Sequence, residues 1–378
     1  MSRTARRTLP IFLLLVALLA GCGSNRSPIT CPLTNGCGCG AGSQVCIAPQ
    51  FLYAAGTSGQ VTVFPITSTG ALGSSTSVTG PSLTLGMTVL DNQFLYVSNP
   101  LAEIGAAVNA WTIGPGTGTL TTVAGSPFPL GAYSVAGGLA TDSALQVIYV
   151  ADAGKIDVLQ ADSTGALKSI SGSPFLSGTN LYLTVDPQNR FLFASDDDPP
   201  GSVLAFTINS SGGLAAVQGS PFPANSAANT QPGQIVVDTS GSFVYTTLTS
   251  TGQVAAFSIS TTAPIGALTA VPGSPFAAGS QPLSLATVNS YLYVSNAGDG
   301  TISGYSINST NGVLTPLAGS PFAIRGAALA IDTLGPYLYA SGASGILAFS
   351  INTQNGKLSP IAGSPFAAPQ ALVMTVEQ

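Results

Sequence analysis

The sequence contains no histidine, and only 6% of its 378 residues are charged. Without histidine there is no imidazole general base, no Ser-His-Asp triad and no histidine-ligated metal. Hydrolytic chemistry would therefore depend on carboxylates, lysine or arginine. Long amphipathic helical patterns are also missing. Short runs of Val, Ile, Thr, Tyr and Phe alternate instead with glycine and proline, which predicts an all-β fold.

Basic residues are scarce, and three of the nine, Arg3, Arg6 and Arg7, lie in the first segment of the chain. If that segment is removed, six basic residues remain against fourteen acidic ones, for a net charge of −8. This balance argues against nucleic acid as a partner and against electrostatic binding to anionic lipid. It also leaves few cations for a phosphorylated substrate.

Residues 1–22 have the pattern of a signal peptide, with a basic start and an apolar stretch at residues 9–19 that is short for a membrane span. The sequence "LAGC" that ends at Cys22 resembles a bacterial lipobox, in which the cysteine is acylated. The alternative is an ordinary secretory peptide with a chance cysteine. Gly23 in place of aspartate fits delivery to the outer membrane. We therefore expect a cell-envelope lipoprotein, in the outer membrane or facing the periplasm, held to the membrane through Cys22.

Residues 23–50 form a predicted tether rich in Gly, Ser, Asn and Pro. An even number of cysteines in an oxidising compartment predicts two local disulfides with three possible pairings. The alternative, a zinc site, has a C-x5-C-x-C-x6-C spacing that matches no common zinc pattern. The four cysteines are Cys31, Cys37, Cys39 and Cys46.

Three short motifs repeat along residues 51–378. A motif close to "LYVSN" occurs seven times, and a "V-x-x-F" motif follows each copy. The tetrapeptide GSPF occurs six times, with a degenerate seventh copy in "VTGPSL" at residues 78–83. Its six copies begin at Gly125, Gly172, Gly219, Gly273, Gly319 and Gly363.

Each repeat of about 46 residues is predicted to carry four short antiparallel strands, which we call A to D, joined by polar turns. In one repeat these are "LYLTV" (181–185), "FLFAS" (191–195), "SVLAFTI" (202–208) and "LAAVQGSPF" (214–222). The pattern predicts a seven-bladed β-propeller over residues 51–378. The first repeat begins at strand B. The final segment, "ALVMTVEQ" (371–378), aligns with strand A, so we expect it to close the first blade.

The position of GSPF at the end of strand D suggests a structural role. Proline lacks an N–H group and suits an outer edge, where it discourages pairing with a foreign strand. The phenylalanine is expected to pack between neighbouring blades. A ligand site built from six copies of this motif is the weaker alternative, because strand D lies far from the central channel.

The segment "LYVSNAGDGTISGYSINSTNGVLTPLAGSPF" (292–322) closely resembles the blade consensus of the seven-bladed β-propeller lactonase family. The resemblance extends over about 330 residues and implies the propeller fold. The family includes 6-phosphogluconolactonase-type and cyclic-muconate-lactonising enzymes, together with secreted repeat proteins of no known reaction. The enzymes of this family use His, Arg and acidic residues at the channel mouth, so the resemblance implies such a site here. This sequence has no His.

Propeller geometry places the loops into strand A and the B–C loops on one face, which we call the ligand face. The recurring A–B turn acids, such as Asp186 and Asp238, are interpreted as structural. Candidates for catalysis on the ligand face are Arg325, Asp197 and Lys155. Further candidates for ligand contact there are Asp152, Asp196, Asp198, Gln231, Asn296, Asp299 and Gln370.

The run "SDDDPPG" (195–201) holds three consecutive acids, Asp196, Asp197 and Asp198, which repel one another unless something neutralises them. One interpretation is a Ca²⁺ or Mg²⁺ site, and the other is a solvated acidic loop. Arg325 either orients an anionic ligand or pairs with one of these acids.

Two functions follow from these observations. The first is a lipid-anchored propeller that binds or scaffolds a protein or a small molecule at the channel mouth. It is favoured by the lack of His, the scarcity of charge and the small, uncharged loop residues. The second is a lactone hydrolase that acts through acidic residues or a bound divalent metal.

Overall fold

The computed structural model describes residues 49–100, 105–131, 136–152, 154–176, 178–225, 230–332, 334–369 and 371–377. These residues form 32 strands arranged in seven antiparallel sheets, each of which is one blade. Every A strand contacts the A strands of both neighbouring blades, which closes the ring. The predicted seven-bladed β-propeller is confirmed.

Blade 1 combines both ends of the propeller. The last strand pairs antiparallel with the first, with Leu52 opposite Val376, and supplies the missing inner strand as expected. The buried Gln50 side chain donates from Nε2 to the Glu377 carbonyl over 3.0 Å, which adds a bond at the seam. From the centre outwards, blade 1 consists of β32 (Ala371–Val376), β1 (Gln50–Gly56), β2 (Gln60–Ile66) and β3 (Thr76–Thr79).

Blades 2 to 5 are each continuous in sequence and carry a short fifth strand. The strands of blade 2 are β4 (Met87–Leu90), β5 (Phe94–Asn99), β6 (Ala107–Ile113), β7 (Leu120–Thr122) and β8 (Phe128–Pro129). The strands of blade 3 are β9 (Ala136–Asp142), β10 (Val147–Asp152), β11 (Lys155–Ala161), β12 (Leu167–Ser169) and β13 (Phe175–Leu176). The strands of blade 4 are β14 (Asn180–Val185), β15 (Phe191–Asp196), β16 (Ser202–Ile208), β17 (Leu214–Ala216) and β18 (Phe222–Pro223).

The remaining blades follow the same order. The strands of blade 5 are β19 (Pro232–Val237), β20 (Phe243–Leu248), β21 (Gln253–Ile259), β22 (Leu268–Ala270) and β23 (Phe276–Ala277). The strands of blade 6 are β24 (Pro282–Val288), β25 (Tyr291–Asn296), β26 (Thr301–Ile307) and β27 (Leu314–Pro316). The strands of blade 7 are β28 (Leu329–Asp332), β29 (Tyr337–Gly342), β30 (Gly345–Ile351) and β31 (Leu358–Pro360).

The GSPF motif interrupts the outer strand, which corrects the prediction of one continuous strand D over residues 214–222. In blade 4, strand D is β17, followed by a turn with a cis Ser220–Pro221 peptide bond and then by β18. At the turn the backbone leaves the ladder, and Ser220 Oγ accepts the Ala205 N–H of strand C over 3.1 Å. The serine hydroxyl therefore replaces a carbonyl acceptor that the outer strand no longer supplies. All six GSPF serines accept a strand C N–H in this way.

The phenylalanine of each GSPF motif packs against an apolar cluster shared by two blades. Phe222 contacts the cluster that joins blade 4 to blade 5, and Phe366 contacts the one that joins blade 7 to blade 1. Seven such clusters, one between each pair of neighbouring blades, form the core of the ring. Since burial of apolar surface drives folding, stability resides largely in these inter-blade contacts.

The tyrosine of the "LYVSN" motif adds a polar tie between blades. Tyr96, Tyr245, Tyr293 and Tyr339 are fully buried, and each hydroxyl donates to a glycine carbonyl in the C–D turn of the next blade. These bonds are 2.6–3.0 Å long. Burial raises the pKa of all four hydroxyls, so they remain protonated donors.

Candidate functional site

The B–C loops and the loops into strand A project from the same end of the propeller. In blade 6, Pro282 at the start of strand A pairs with Asn296 at the end of strand B, which pairs with Thr301 at the start of strand C. The same end of blade 3 has Asp152 opposite Lys155. The ligand face is therefore the face on which most of the predicted site residues lie.

Blade 3 contains a buried carboxylate pair on this face. Asp152 ends β10 and is fully buried, while Asp157, two residues along β11 from Lys155, is also buried. Lys155 Nζ lies 3.1 Å from Asp152 Oδ2. We call Asp152 and Asp157 the blade 3 acid pair, because their carboxyl groups are hydrogen-bonded to each other. The sequence prediction included Asp152 and Lys155 but missed Asp157.

The environment of Asp157 changes its titration. Burial, followed by the hydrogen bond and the charge of Asp152, raises the pKa of Asp157 to about 7, while the Lys155 ammonium acts in the opposite direction. Two carboxyl groups in contact share a proton more readily than they both ionise. The pair can therefore exchange a proton near neutral pH.

Two other blades have a neutral hydrogen-bonded pair at these two positions. In blade 2, Asn99 Nδ2 donates to Asn109 Oδ1 over 3.1 Å. In blade 6, Asn296 Nδ2 donates to Ser303 Oγ over 2.9 Å. Both pairs join the last residue of strand B to a residue of strand C, as Asp152 and Asp157 do in blade 3. The acid pair thus stands where blades 2 and 6 have a neutral hydrogen-bonded pair.

The acidic loop of blade 4 holds the three consecutive acids. Asp196 is buried, accepts the Ser202 hydroxyl over 3.1 Å, and lies against the backbone of Gly178. Asp198 accepts the Thr179 hydroxyl over 2.9 Å. One carboxylate oxygen from each acid lies within 4.8 Å of the others, and burial raises the pKa of Asp196.

Oxygen ligands of this kind suit Ca²⁺ or Mg²⁺. Asp196, Asp197 and Asp198 are the ones that would hold the ion, and Asp197 has the oxygen Oδ1 buried without a hydrogen-bond partner among the described residues. The arrangement fits a weak site. The Ser202 hydroxyl already donates to an Asp196 oxygen, and the Thr179 hydroxyl donates to an Asp198 oxygen.

Asn296 and Asp299 hold the loop that leads into strand A of blade 6. Asn296 Oδ1 accepts the Gly279 N–H over 3.0 Å, and Asp299 Oδ1 accepts the Ser280 N–H over 2.6 Å. Asp299 also borders a polar cavity of about 580 Å³ between blades 5 and 6, lined mainly by Thr, Ser, Gly and Gln. Gln231, at the corresponding point of blade 5, is exposed and uses its carbonyl to accept the Thr249 N–H over 3.2 Å.

Arg325 is exposed on the ligand face, and its side chain lies against Gly300 of the blade 6 B–C loop. Among the described residues it forms no ion pair. Pairing with an acid, which is one of the two roles predicted for Arg325, is therefore not seen within the described part of the chain. Contact with an anionic ligand stays a prediction.

The lining of the central channel is the feature that sequence analysis missed. A cavity of about 260 Å³ opens between the seven A strands, and all of them contribute to its lining. The described lining consists of aliphatic, methionine, glycine, hydroxyl and amide residues, with no charged side chain. Strand A is weakly patterned in sequence. Only the position of a residue such as Leu283 or Leu372 near the start of strand A could have suggested this lining.

Several predicted residues lie outside the described residues: Gln370, the proposed lipidation site Cys22, and the cysteines Cys31, Cys37, Cys39 and Cys46. Within the described part of the chain, no helix has the length and apolar character needed to cross a membrane.

Comparison with known proteins gives a match to one family model over part of the chain and a set of similar folds. The model of the lactonase family, a seven-bladed β-propeller, matches residues 134–282. No curated protein matches the chain. A provisionally named 6-phosphogluconolactonase from Bacteroides uniformis is 19% identical with a TM-score of 0.71, and the match covers 87% of this chain and 99% of the other.

Two further solved structures are similar. A Lactobacillus plantarum protein is 17% identical with a TM-score of 0.68, over 88% of this chain and 100% of the other. The periplasmic gluconolactonase of Pseudomonas aeruginosa is 18% identical with a TM-score of 0.61, over 83% of this chain and 95% of the other. At these identities the likeness shows the fold alone. Together with the family model, it confirms the resemblance of this chain to the seven-bladed β-propeller lactonase family.

Proposed function

We propose that the protein is a lipid-anchored, extracytoplasmic propeller that binds a ligand on its ligand face without chemically changing it. The observation that carries the proposal is the channel that opens between the seven A strands, whose described lining is uncharged. Stabilisation of the charge that develops in lactone hydrolysis requires fixed charges or donors close to the reacting group. Binding requires only a shaped cavity with a few polar contacts.

A panel of lactones tests this proposal. The full mature chain, incubated with sugar lactones and simple alkyl lactones with and without EDTA, is expected to give no turnover above the buffer rate. Turnover that is abolished by Asp157→Asn or Arg325→Ala, but not by Asp299→Asn, would contradict it. Asp299 is the matched control, because it is an acid of the same face that lies in another blade.

The anchor is tested separately. We expect Cys22 to incorporate an alkyne-labelled fatty acid in a bacterial host and the protein to fractionate with membranes, since buried acyl chains contribute about 0.8 kcal/mol for each CH₂ group. Cys22→Ser should abolish both the label and the fractionation. Cys31→Ser is the matched control and should leave both unchanged.

The second candidate is lactone hydrolysis at the blade 3 acid pair. The Pseudomonas aeruginosa protein of similar fold is named a gluconolactonase. Here, a pKa of about 7 makes Asp157 a suitable general base for an attacking water, and the Lys155 ammonium would stabilise the resulting oxyanion. The proton taken from water would then pass to the leaving alkoxide. The burial of Asp157 at 5% exposure limits substrate access, so binding is placed first.

A further inference from the structure

The channel cavity has two unusual apolar side chains. Among the described residues four large apolar side chains are exposed, and two of them, Leu283 at 40% and Leu372 at 38%, line the channel. Both occupy the second position of their A strands, at the end next to the ligand face. Leu85 of blade 2 lines the same cavity. Contact between leucine and water inside a concave site is unfavourable. Binding of a ligand that covers the leucine is therefore favourable.

Three polar groups border the same cavity, and one of them has no hydrogen-bond partner among the described residues. Thr84 is fully buried, and its hydroxyl has no hydrogen-bond partner among the described residues. Tyr182 lies in the lining, and burial raises the pKa of its hydroxyl, so this group stays neutral. Gln234 Oε1 accepts the Leu285 N–H, which fixes the amide at the cavity wall. A buried hydroxyl without a partner costs about 1–3 kcal/mol, which a ligand with a polar group can offset.

The absence of charge in the described lining defines the ligand further. A carboxylate or an ammonium group in this cavity would lose its hydration and meet no ion of opposite charge there, which is costly. An uncharged hydroxyl, ester or amide group loses much less. The volume of about 260 Å³ lies below the usual range of about 300–1,000 Å³ for drug-sized ligands, so the occupant is small.

We propose that the ligand-face end of the channel binds a small, uncharged amphiphile. Its alkyl chain contacts Leu283 and Leu372, and its hydroxyl, ester or amide group bonds to Thr84, Tyr182 or Gln234. This inference rests on the proposed binding function and adds the site and the chemical class of the ligand.

Calorimetric titration of the full mature chain tests the proposal with two probes of equal length, octan-1-ol and octanoate. The chain carries Cys22→Ser, so that no detergent competes for the cavity. At pH 8 we expect octan-1-ol to bind with one site per chain, and octanoate to bind at least about tenfold more weakly because of its charge. No binding of octan-1-ol, or equal binding of both probes, overturns the proposal.

Variants locate the binding. Leu283→Asn and Leu372→Asn should each weaken octan-1-ol binding about tenfold. Leu334→Asn should have no effect, because Leu334 is at least as exposed but lies in an A–B turn. Tyr182→Phe keeps the ring and removes only the hydroxyl, so it tests the cavity if an asparagine variant fails to fold. Unchanged affinity in all three cavity variants overturns the proposal. The lactone panel is independent of these titrations, so failure here leaves the test of the proposed function intact.

Discussion

Strand β11 has an aspartate near each end, and the two differ in their electrostatic surroundings. Asp162, just past the strand in the C–D turn, is exposed and accepts the N–H of Thr164 over 2.8 Å and that of Ala166 over 3.2 Å. The hydrogen bond from the Thr164 hydroxyl, followed by the backbone bonds, lowers the pKa of Asp162. Asp157, near the ligand face, is buried against Asp152, and its pKa rises to about 7.

The difference shows that the same residue type on one strand titrates in opposite directions, according to whether it is exposed to N–H and O–H donors or buried against a second acid. In the C–D turn of blade 3, the folded backbone supplies N–H donors to Asp162, which contribute to its lowered pKa. On the ligand face of blade 3, the partner of the acid is another acid. The first kind recurs in several blades, while the buried acid pair lies in blade 3.

The largest expected effect is a pH dependence due to Asp157. Its folded pKa of about 7 lies above its ordinary value of 3.8, so the folded chain binds the proton more tightly. Stability from this group is therefore full below about pH 4 and is lost as the pH rises to about 7, by at most about 4 kcal/mol, because the shift is shared with Asp152. Asp157→Asn, which imitates Asn109 of blade 2, should remove this slope and be more stable than the unaltered chain at pH 8. Urea unfolding from pH 4 to pH 8 measures it.

Asp162→Asn is the control for this experiment. The lowered pKa of Asp162 means that its contribution is present above its ordinary pKa of 3.8 and is lost as the pH falls. The variant should therefore keep the Asp157 slope between pH 4 and pH 8. A chain with Asp157→Asn that retained the original slope would show that the acid pair is not the cause.

Replacement of a turn acid should have the second largest effect. Asp238 is buried and accepts the N–H groups of Ser240, Ser242 and Phe243. Asp238→Ala leaves these donors unsatisfied and should lower the free energy of unfolding by about 3 kcal/mol. Asp198→Ala, an exposed ligand-face acid, should change it by less than about 0.5 kcal/mol. Equal losses in the two variants would remove the distinction between the two kinds of acid.

The Lys155 ammonium should have a smaller effect on the acid pair. Because this cation lowers the pKa of Asp157, Lys155→Met should move the midpoint of the pH transition upward. The associated change in stability is less than about 1 kcal/mol, since Lys155 is partly exposed. Carboxyl chemical shifts followed by NMR during a pH titration give the midpoint directly. Lys168→Met on the outer strand β12 should leave it unchanged, and a downward shift for Lys155→Met would contradict the geometry.

The smallest effect is expected at the acidic loop of blade 4. Ca²⁺ should bind there with a dissociation constant on the order of 1 mM, as is typical of weak extracellular sites. Asp197→Asn should weaken this binding, and Asp299→Asn should not. Equal affinity in the two variants would show that these acids are not the ligands, and micromolar affinity would show that the site is not weak. Calorimetric titration with CaCl₂ is the measurement.

The repeats predicted the blades and the closure of the ring, because strand patterns and turn residues are local signals. The interruption of strand D was not predictable in this way. It depends on a bond between Ser220 and Ala205, fifteen residues apart, which only the folded blade reveals. Asp157 was missed because it lies inside an otherwise apolar strand. Its one local signal was an acid in "KIDVLQ", where Asn109 or Ser303 stands in other blades.

Closure through β32 also bears on how the chain may be rearranged. The Glu377 N–H donates to the Phe51 carbonyl over 3.2 Å, so the two ends of the propeller are neighbours in space. A circular permutant could join residue 377 to residue 49 with a short glycine linker and begin in the exposed turn at residues 261–265. The composite blade would then be blade 5 instead of blade 1, with every inter-blade cluster retained. We expect such a chain to fold, because the ring depends on which blades are neighbours and not on where the polypeptide starts.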